Sequence, residues 1–310
     1  MLDVDQTLGR TFVEVSEVWV PKDGVLTWEG GDYGDLDAFR EVSGKETFAK
    51  GEGLPGKAWA EGRPVVLKQF EGSYFKRTEA AHAAGLTAAV AIPVFAGDTL
   101  KAVLVTLCGD GDDRIGAIEV WSDTSGVLTL DDGYFGSAAH FEWVSRHTQF
   151  PRGQGMPGSV WSTSTPLLMR NLGSGYKFVR AESAGEAGLT TGLGMPVPVP
   201  GDRSYVLTLL SARGTPLARR FEIWDARKSV VGSQGGAILI DGVCSTEGPL
   251  GLESPQKRAN LWQGVIGNVA GSGVPIAKRQ EARLPGGHKS VVALPIHDAD
   301  TITHVVAWYS

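Results

Sequence analysis

Two cysteines, Cys108 and Cys244, are all that the 310 residues contain, and they lie in different thirds of the chain. Such a pair offers no disulfide framework and no cysteine-based metal cluster, so free thiols are expected. An excess of basic charge is equally absent: 29 Lys and Arg face 35 Asp and Glu, for a net charge of -6. Phosphate recognition needs clustered cations, which argues against a nucleic-acid partner. No apolar window reaches the length of a bilayer span, and the acidic start MLDVDQTLGR lacks the apolar core of a leader peptide. The expectation is a cytoplasmic protein with no membrane partner. There is no long charge run and no low-complexity tract either. The composition, 42% hydrophobic and 21% charged, is that of a globular protein, and the length predicts two or three compact units.

What the chain does contain is repetition. KGEGLPGKAW, residues 50–59, returns as RGQGMPGSVW at 152–161, and a worn version, GVIGNVAGSG, lies at 264–273 with Ala270 in place of the Trp. Trp19, Trp121 and Trp224 recur about every hundred residues, each followed by a polar turn and a second apolar stretch that read as a hairpin. Each unit closes with a Gly and an apolar strand carrying Pro93, Pro196 or Pro295, then a final strand such as LKAVLVTL. The organisation is therefore three copies, at 1–111, 112–216 and 217–310, the third the most divergent. Candidate helices are DLDAFREVS and SYFKRTEAAHAAG in copy one, YKFVRAESAGEAG in copy two and SPQKRANLWQGVIGNVAGS in copy three. Strands and helices mix without regular alternation, which predicts an antiparallel α+β layer fold over a doubly wound parallel sheet.

The Gly-rich motif has a physical reading of its own. Gly53 and Gly56 permit positive φ or close backbone approach, Pro55 restricts the chain between them, and Gly155, Pro157 and Gly158 repeat the arrangement, with Gly267 its remnant in copy three. A helical turn starting at Pro55 or Gly56 would present Trp59, and in copy two Trp161, as an apolar anchor. Gly62 and Pro64 would then stop the helix. Phosphate binding at this turn is the weaker alternative, because the Lys followed by Ser or Thr of a P-loop is missing.

GEGLPGKAWAEGRPVVL, the Ala-rich stretch ending in AGL, the strand with AIPV and the closing LKAVLVTL together resemble a bacterial GAF domain. The resemblance covers nearly all of copy one and most of copy two; copy three is included mainly by position. It implies a central antiparallel sheet of five or six strands with flanking helices, a small-molecule pocket between sheet and overlying helix, and a regulatory or sensory role exerted through protein contacts. Family members commonly have long terminal helices that cover the back of the sheet. Here only VLVTLCGDGDDRIGAIEVW joins copies one and two, so the apolar back faces are predicted to pack on one another or on a second chain. No kinase, cyclase, phosphodiesterase or DNA-binding segment is left over once three copies are counted.

Specific chemistry is sparse. The family's cyclic-nucleotide signature is missing, Cys108 and Cys244 lack the following His of bilin attachment, and no copy holds the several cysteines of methionine sulfoxide reduction. No Ser-His-Asp order or nucleophile elbow occurs, so no catalytic residue and no cofactor is assigned. His288, His297 and His304 crowd copy three; the last two flank a predicted hairpin turn that would bring them onto neighbouring strands, where Asp298 or Asp300 would complete a metal set, but an exposed polar turn is the preferred reading. Asp110, Asp112 and Asp113 are read as a solvated linker. For a small ligand the segment after the motif strand offers Tyr74, Phe75, Arg77 and His82 in copy one and Tyr176, Phe178, Arg180 and Glu182 in copy two. An open polar cavity in copy one would favour sensing, and one plugged by Trp28, Phe48 or Phe75 would count against it. The alternative is a structural or assembly protein built of degenerate copies that bind nothing.

Overall fold

The computed structural model describes residues 11–109, 111, 113–174, 177–280 and 284–310, so Asp110, Asp112 and Tyr176 lie outside the described residues. The first sheet comprises β1 (Val13–Lys22), β2 (Val25–Asp32), β3 (Thr47–Ala49), β4 (Val65–Leu67), β5 (Leu86–Ala96) and β6 (Thr99–Gly109), in the order β3-β2-β1-β6-β5-β4. The second comprises β7 (Ile115–Thr124), β8 (Val127–Gly136), β9 (Gln149–Pro151), β10 (Leu167–Arg170), β11 (Leu189–Val197) and β12 (Tyr205–Ala212), in the equivalent order. The third repeats that order with β13 (Arg220–Asp225), β14 (Ala237–Cys244), β15 (Gly248–Leu250), β17 (Ile276–Arg279), β18 (Ser290–Asp298) and β19 (Thr301–Tyr309), and adds β16 (Arg258–Ala259) beside β14. All the pairings are antiparallel. The α+β class and its sheet-with-helices architecture are as expected, with seven strands rather than six in the third sheet.

The helices are short: α1 (Asp37–Ser43), α2 (Gly53–Glu61), α3 (Thr78–Ala83), α4 (Ala139–Arg146), α5 (Gly155–Thr163), α6 (Ala181–Glu186), α7 (Lys228–Val231) and α8 (Gly264–Ser272). None is long and apolar enough to cross a membrane. Three expected helices shrink. The one after β4 begins only at Thr78, because Arg77 leaves helical geometry at φ -105° and is drawn into the interior, and Arg180 before α6 does the same at φ -102°. In copy three Trp262 and Gly264 both have positive φ, which a right-handed helix cannot pass through, so only Gly264–Ser272 coils.

The Gly-rich turn begins its helix at Gly53, two residues earlier than expected. A Cβ on Gly56 would sit 2.1 Å from the Ala49 carbonyl oxygen, and the equivalent positions Gly158 and Gly267 meet Pro151 and Asn260 oxygens at 2.2 and 1.8 Å. The worn third copy has thus kept the glycine that the close approach requires. Its apolar anchor is a correction to the expectation: Leu54 and Met156 are fully buried, while Trp59 is half-buried with Lys50 over its ring. Trp161 is the better anchored of the two tryptophans, at 6% exposure.

Each central strand is buried on both faces, which explains runs such as KAVLVTLC. On β6, Val103, Val105 and Leu107 face copy one's own core, while Ala102, Leu104 and Cys108 face a second core built by all three sheets. Val18, Ile92 and Leu104 of copy one meet there with Ile118, Leu193 and Leu207 of copy two and Ile223, Leu294 and Val306 of copy three. The back faces therefore cover one another, as the lack of covering helices demanded. Around this core the copies form a closed ring: β4 packs on β8, Arg170 at the end of β10 reaches Asp241 on β14, and β17 packs on β2. A basic residue at one repeated position bridges each seam, Lys68 to Asp132 at 3.0 Å, Arg170 to Asp241 at 2.5 Å and Arg279 to Asp32 at 3.8 Å. Pro93, Pro196 and Pro295 meet at one end of the shared core.

Candidate functional site

On the front of each sheet the sequence places Glu and Trp two residues apart, Glu17 and Trp19, Glu119 and Trp121, Glu222 and Trp224. A strand repeats every two residues, so both side chains share a face, and each indole nitrogen donates to its glutamate at 3.1, 3.1 and 2.9 Å. In copy one the Glu17 carboxylate also accepts from the Tyr33 hydroxyl at 3.0 Å, Ser43 Oγ at 2.8 Å and both terminal nitrogens of Arg77. Phe39 and Phe75 flank the guanidinium at 4.9 and 5.3 Å, and Phe48 closes the same interior. Copy two repeats this with Glu119, Arg180, Thr208, Phe141 and Phe178. Burial opposes the Glu119 charge, but Arg180 outweighs it and holds the carboxyl below its usual range.

Copy three solves the problem differently. Among the described residues no arginine from the segment after the motif strand enters its interior; instead Arg220, on β13 itself, pairs with Glu222 and Glu247 at 2.6 Å, and Tyr309 donates to Glu222 at 2.7 Å. Cys244 lies here, 3.7 Å from His288 Nε2.

Of the expected ligand residues, Phe75 with Arg77, and Phe178 with Arg180, are brought together, but around an internal carboxylate. Phe48 and Phe75 are buried in copy one's interior, the arrangement that counts against a cavity there. Tyr74, His82 and Glu182 are exposed, and His82 lines a shallow hollow of about 160 Å³ with Phe70 and Thr78. The glutamates were not singled out from sequence, although an acidic residue inside three apolar strands, always two before Trp, was a readable signal.

Open space lies elsewhere. A cleft of about 450 Å³ separates copies two and three, walled by Arg152, Trp161, Thr163 and Arg203 on one side and Arg227, His297 and His304 on the other. A second, of about 430 Å³, lies between copies three and one, where Trp28, Asp37 and Arg40 face Lys278 and Arg279. His297 pairs with Ile302 and His304 with Ile296 across the β18–β19 hairpin, as the turn reading anticipated. Both imidazoles are nevertheless buried against neighbouring copies, a correction to the exposed polar turn expected there. Burial lowers both of their pKa values, that of His297 to about 4, so both are neutral at neutral pH. Among the described residues no three His, Cys, Asp or Glu side chains converge as a metal set.

A family model described as GAF domain matches residues 3–121. Similar solved structures include the A. aeolicus nlh2 GAF domain in an inactive state, 23% identical with a TM-score of 0.26, covering 32% of this chain and 59% of that one. The GAF domain of a phosphoenolpyruvate-protein phosphotransferase from Coxiella burnetii is 17% identical with a TM-score of 0.27, covering 31% of this chain and 56% of that one. The Staphylococcus aureus NreA protein, mutated in its nitrate binding site, is 16% identical with a TM-score of 0.27, covering 34% and 81%. The chain thus spans less than two thirds of the length of the first two, and no curated protein matches it. The match to the GAF domain family is thus one over residues 3–121, the first copy and the opening strand of the second.

Proposed function

We propose that this chain is a non-enzymatic regulatory or sensory protein that binds a small molecule and passes the signal on through protein contacts. GAF domains are typically sensory and regulatory ligand-binding modules, and the first copy matches their family model. The proposed units are 1–111, 112–216 and 217–310, working in the cytoplasm without nucleic acid or membrane. The observation that carries the reading is the open, cation-lined cleft between copies two and three, in a body whose shared core is filled by apolar side chains. Because the copies share that core, a ligand wedged between two of them bears on the packing of the third. Such a coupling is the physical requirement for a signal to leave the site.

The filled interiors of copies one and two favour a second reading, an assembly protein in which an ion pair stands where a ligand would. Native mass spectrometry of the purified chain, against its denatured mass, separates the two. Extra non-covalent mass on each chain, or a thermal shift on adding small metabolites, supports regulation. A bare chain with no response to any metabolite leaves the assembly reading.

A further inference from the structure

We propose that the cleft between copies two and three is the ligand site, and that it takes a small organic anion through Arg203, Arg227 and the Trp161 indole. This rests on the ligand-binding reading above. The cleft, at about 450 Å³, falls in the range of small-molecule sites. Three arginines, Arg152, Arg203 and Arg227, line it against one carboxylate, Asp298. Two of the three are held in place by the protein. Asp225 takes Nε and Nη2 of Arg227, which fixes the guanidinium plane and leaves Nη1 without a protein partner among the described residues. Arg152 lies 4.1 Å over the Trp161 ring. Arg203 sits on the exposed rim of the β11–β12 turn.

The second observation is independent of charge. Trp161 and His304 are 6% and 2% exposed, both line the cleft, and Trp161 Nε1 and His304 Nδ1 have no hydrogen-bond partner among the described residues. Buried polar atoms are nearly always paired, and the strand tryptophans Trp19, Trp121 and Trp224 each satisfy their N–H with a glutamate. A ligand oxygen accepting from Trp161 completes the set. Hydroxyls gather at the same wall: Thr163 and Thr165 lie 2.7 Å apart, and Ser164 holds φ +53° where copies one and three have Gly62 and Gly273.

The other junctions are built differently. Val199, in the long β11–β12 turn, packs against copy one's core and closes the seam between copies one and two. Between copies three and one, Gly97 N–H donates to the Ala299 carbonyl at 2.9 Å and ties the two hairpin turns together. The opening beside Trp28 also has an unpaired indole, but of its three cations Arg279 is paired with Asp32 and the other two, Arg40 and Lys278, face Glu29 and Asp37, which disfavours an anion there.

The test titrates the full chain with benzoate and with phenyl phosphate, which carry different anionic groups on the same ring, by calorimetry. Arg203→Ala removes an exposed cation and Trp161→Phe removes the N–H while keeping a ring; Arg40→Ala, in the other cleft, is the control. Binding of either probe, weakened about tenfold or more by Arg203→Ala and several-fold by Trp161→Phe but not by Arg40→Ala, is the expected result. The tighter of the two probes tells a carboxylate from a phosphate ester. Probe binding that Arg203→Ala and Trp161→Phe leave unchanged overturns the cleft assignment while the ligand-binding reading stands. No binding by either probe, with a co-purified ligand retained by all three variants, overturns it in the same way. No binding and no co-purified mass removes both.

Discussion

Replacing Arg77 by Met strips the positive charge from the interior of copy one while keeping a long, polarisable chain against Phe39 and Phe75. The Glu17 side chain is fully buried and Arg77 is 1% exposed, so no solvent can take the place of the guanidinium. Glu17 keeps three neutral donors, from Trp19, Tyr33 and Ser43, and loses its paired charge. Breaking a buried pair from one side costs about 3–5 kcal/mol. A pair half in water, such as Lys68 with Asp132, is worth about 0–1 kcal/mol, so Lys68→Ala is the internal comparison. Urea denaturation followed by tryptophan fluorescence reads the Arg77→Met loss as a lower midpoint at unchanged slope, with Trp19 as the local reporter, 5.4 Å from the guanidinium. The double variant Glu17→Leu with Arg77→Met should recover most of the loss, because an apolar pair needs no counter-charge. A loss under about 1 kcal/mol for Arg77→Met, or a double variant that simply adds two penalties, would refute this account.

Other expectations follow from the same packing. Gly56→Ala sets a Cβ 2.1 Å from the Ala49 oxygen, a backbone atom that cannot move aside cheaply, and should cost several kcal/mol in urea unfolding, about 2–4; Gly267→Ala should match it, showing that the third copy uses the same close approach. Residues 1–111 expressed alone should bind a hydrophobic dye and self-associate, because Val18, Ile92 and Leu104 lose the sheets that cover them; a monodisperse, dye-silent fragment would contradict the shared core. His297 has a folded pKa of about 4 through burial and the nearby Lys101, partly offset by Asp300. Its neutral form is the one that fits, so stability is lost as pH falls from about 6.5 to 4, by about 1–2 kcal/mol after allowance for solvent at the cleft mouth; His297→Gln should flatten that part of the stability profile. Cys108, fully buried with its thiol pKa pushed up by desolvation, should resist alkylation until the protein unfolds.

Local features were legible because they answer to local physics. Strands announce themselves by composition and turn residues, and Gly56, Gly158 and Gly267 mark a backbone contact only a few residues away. The length of the helix before Gly85 was misjudged because Arg77 is turned inward by Glu17, sixty residues earlier, and no local pattern encodes that pull. The same distance in sequence hid the site. Arg77 and Arg180 looked like open cations because their glutamates lie on the first strand of their own copies, while Trp161 and Arg227 belong to different copies and line one cleft only once those copies pack.

The sequence by itself determined that the chain is a repeat, where its turns fall, and that its apolar strands needed cover on both faces, since these follow from glycine, proline and side-chain alternation over a few residues. Only the tertiary structure decided what supplied that cover. Three back faces close on one core, the interiors of the copies fill with paired charge, and two wide clefts open between copies, because burial and charge pairing are settled by groups that meet only when the whole chain has folded.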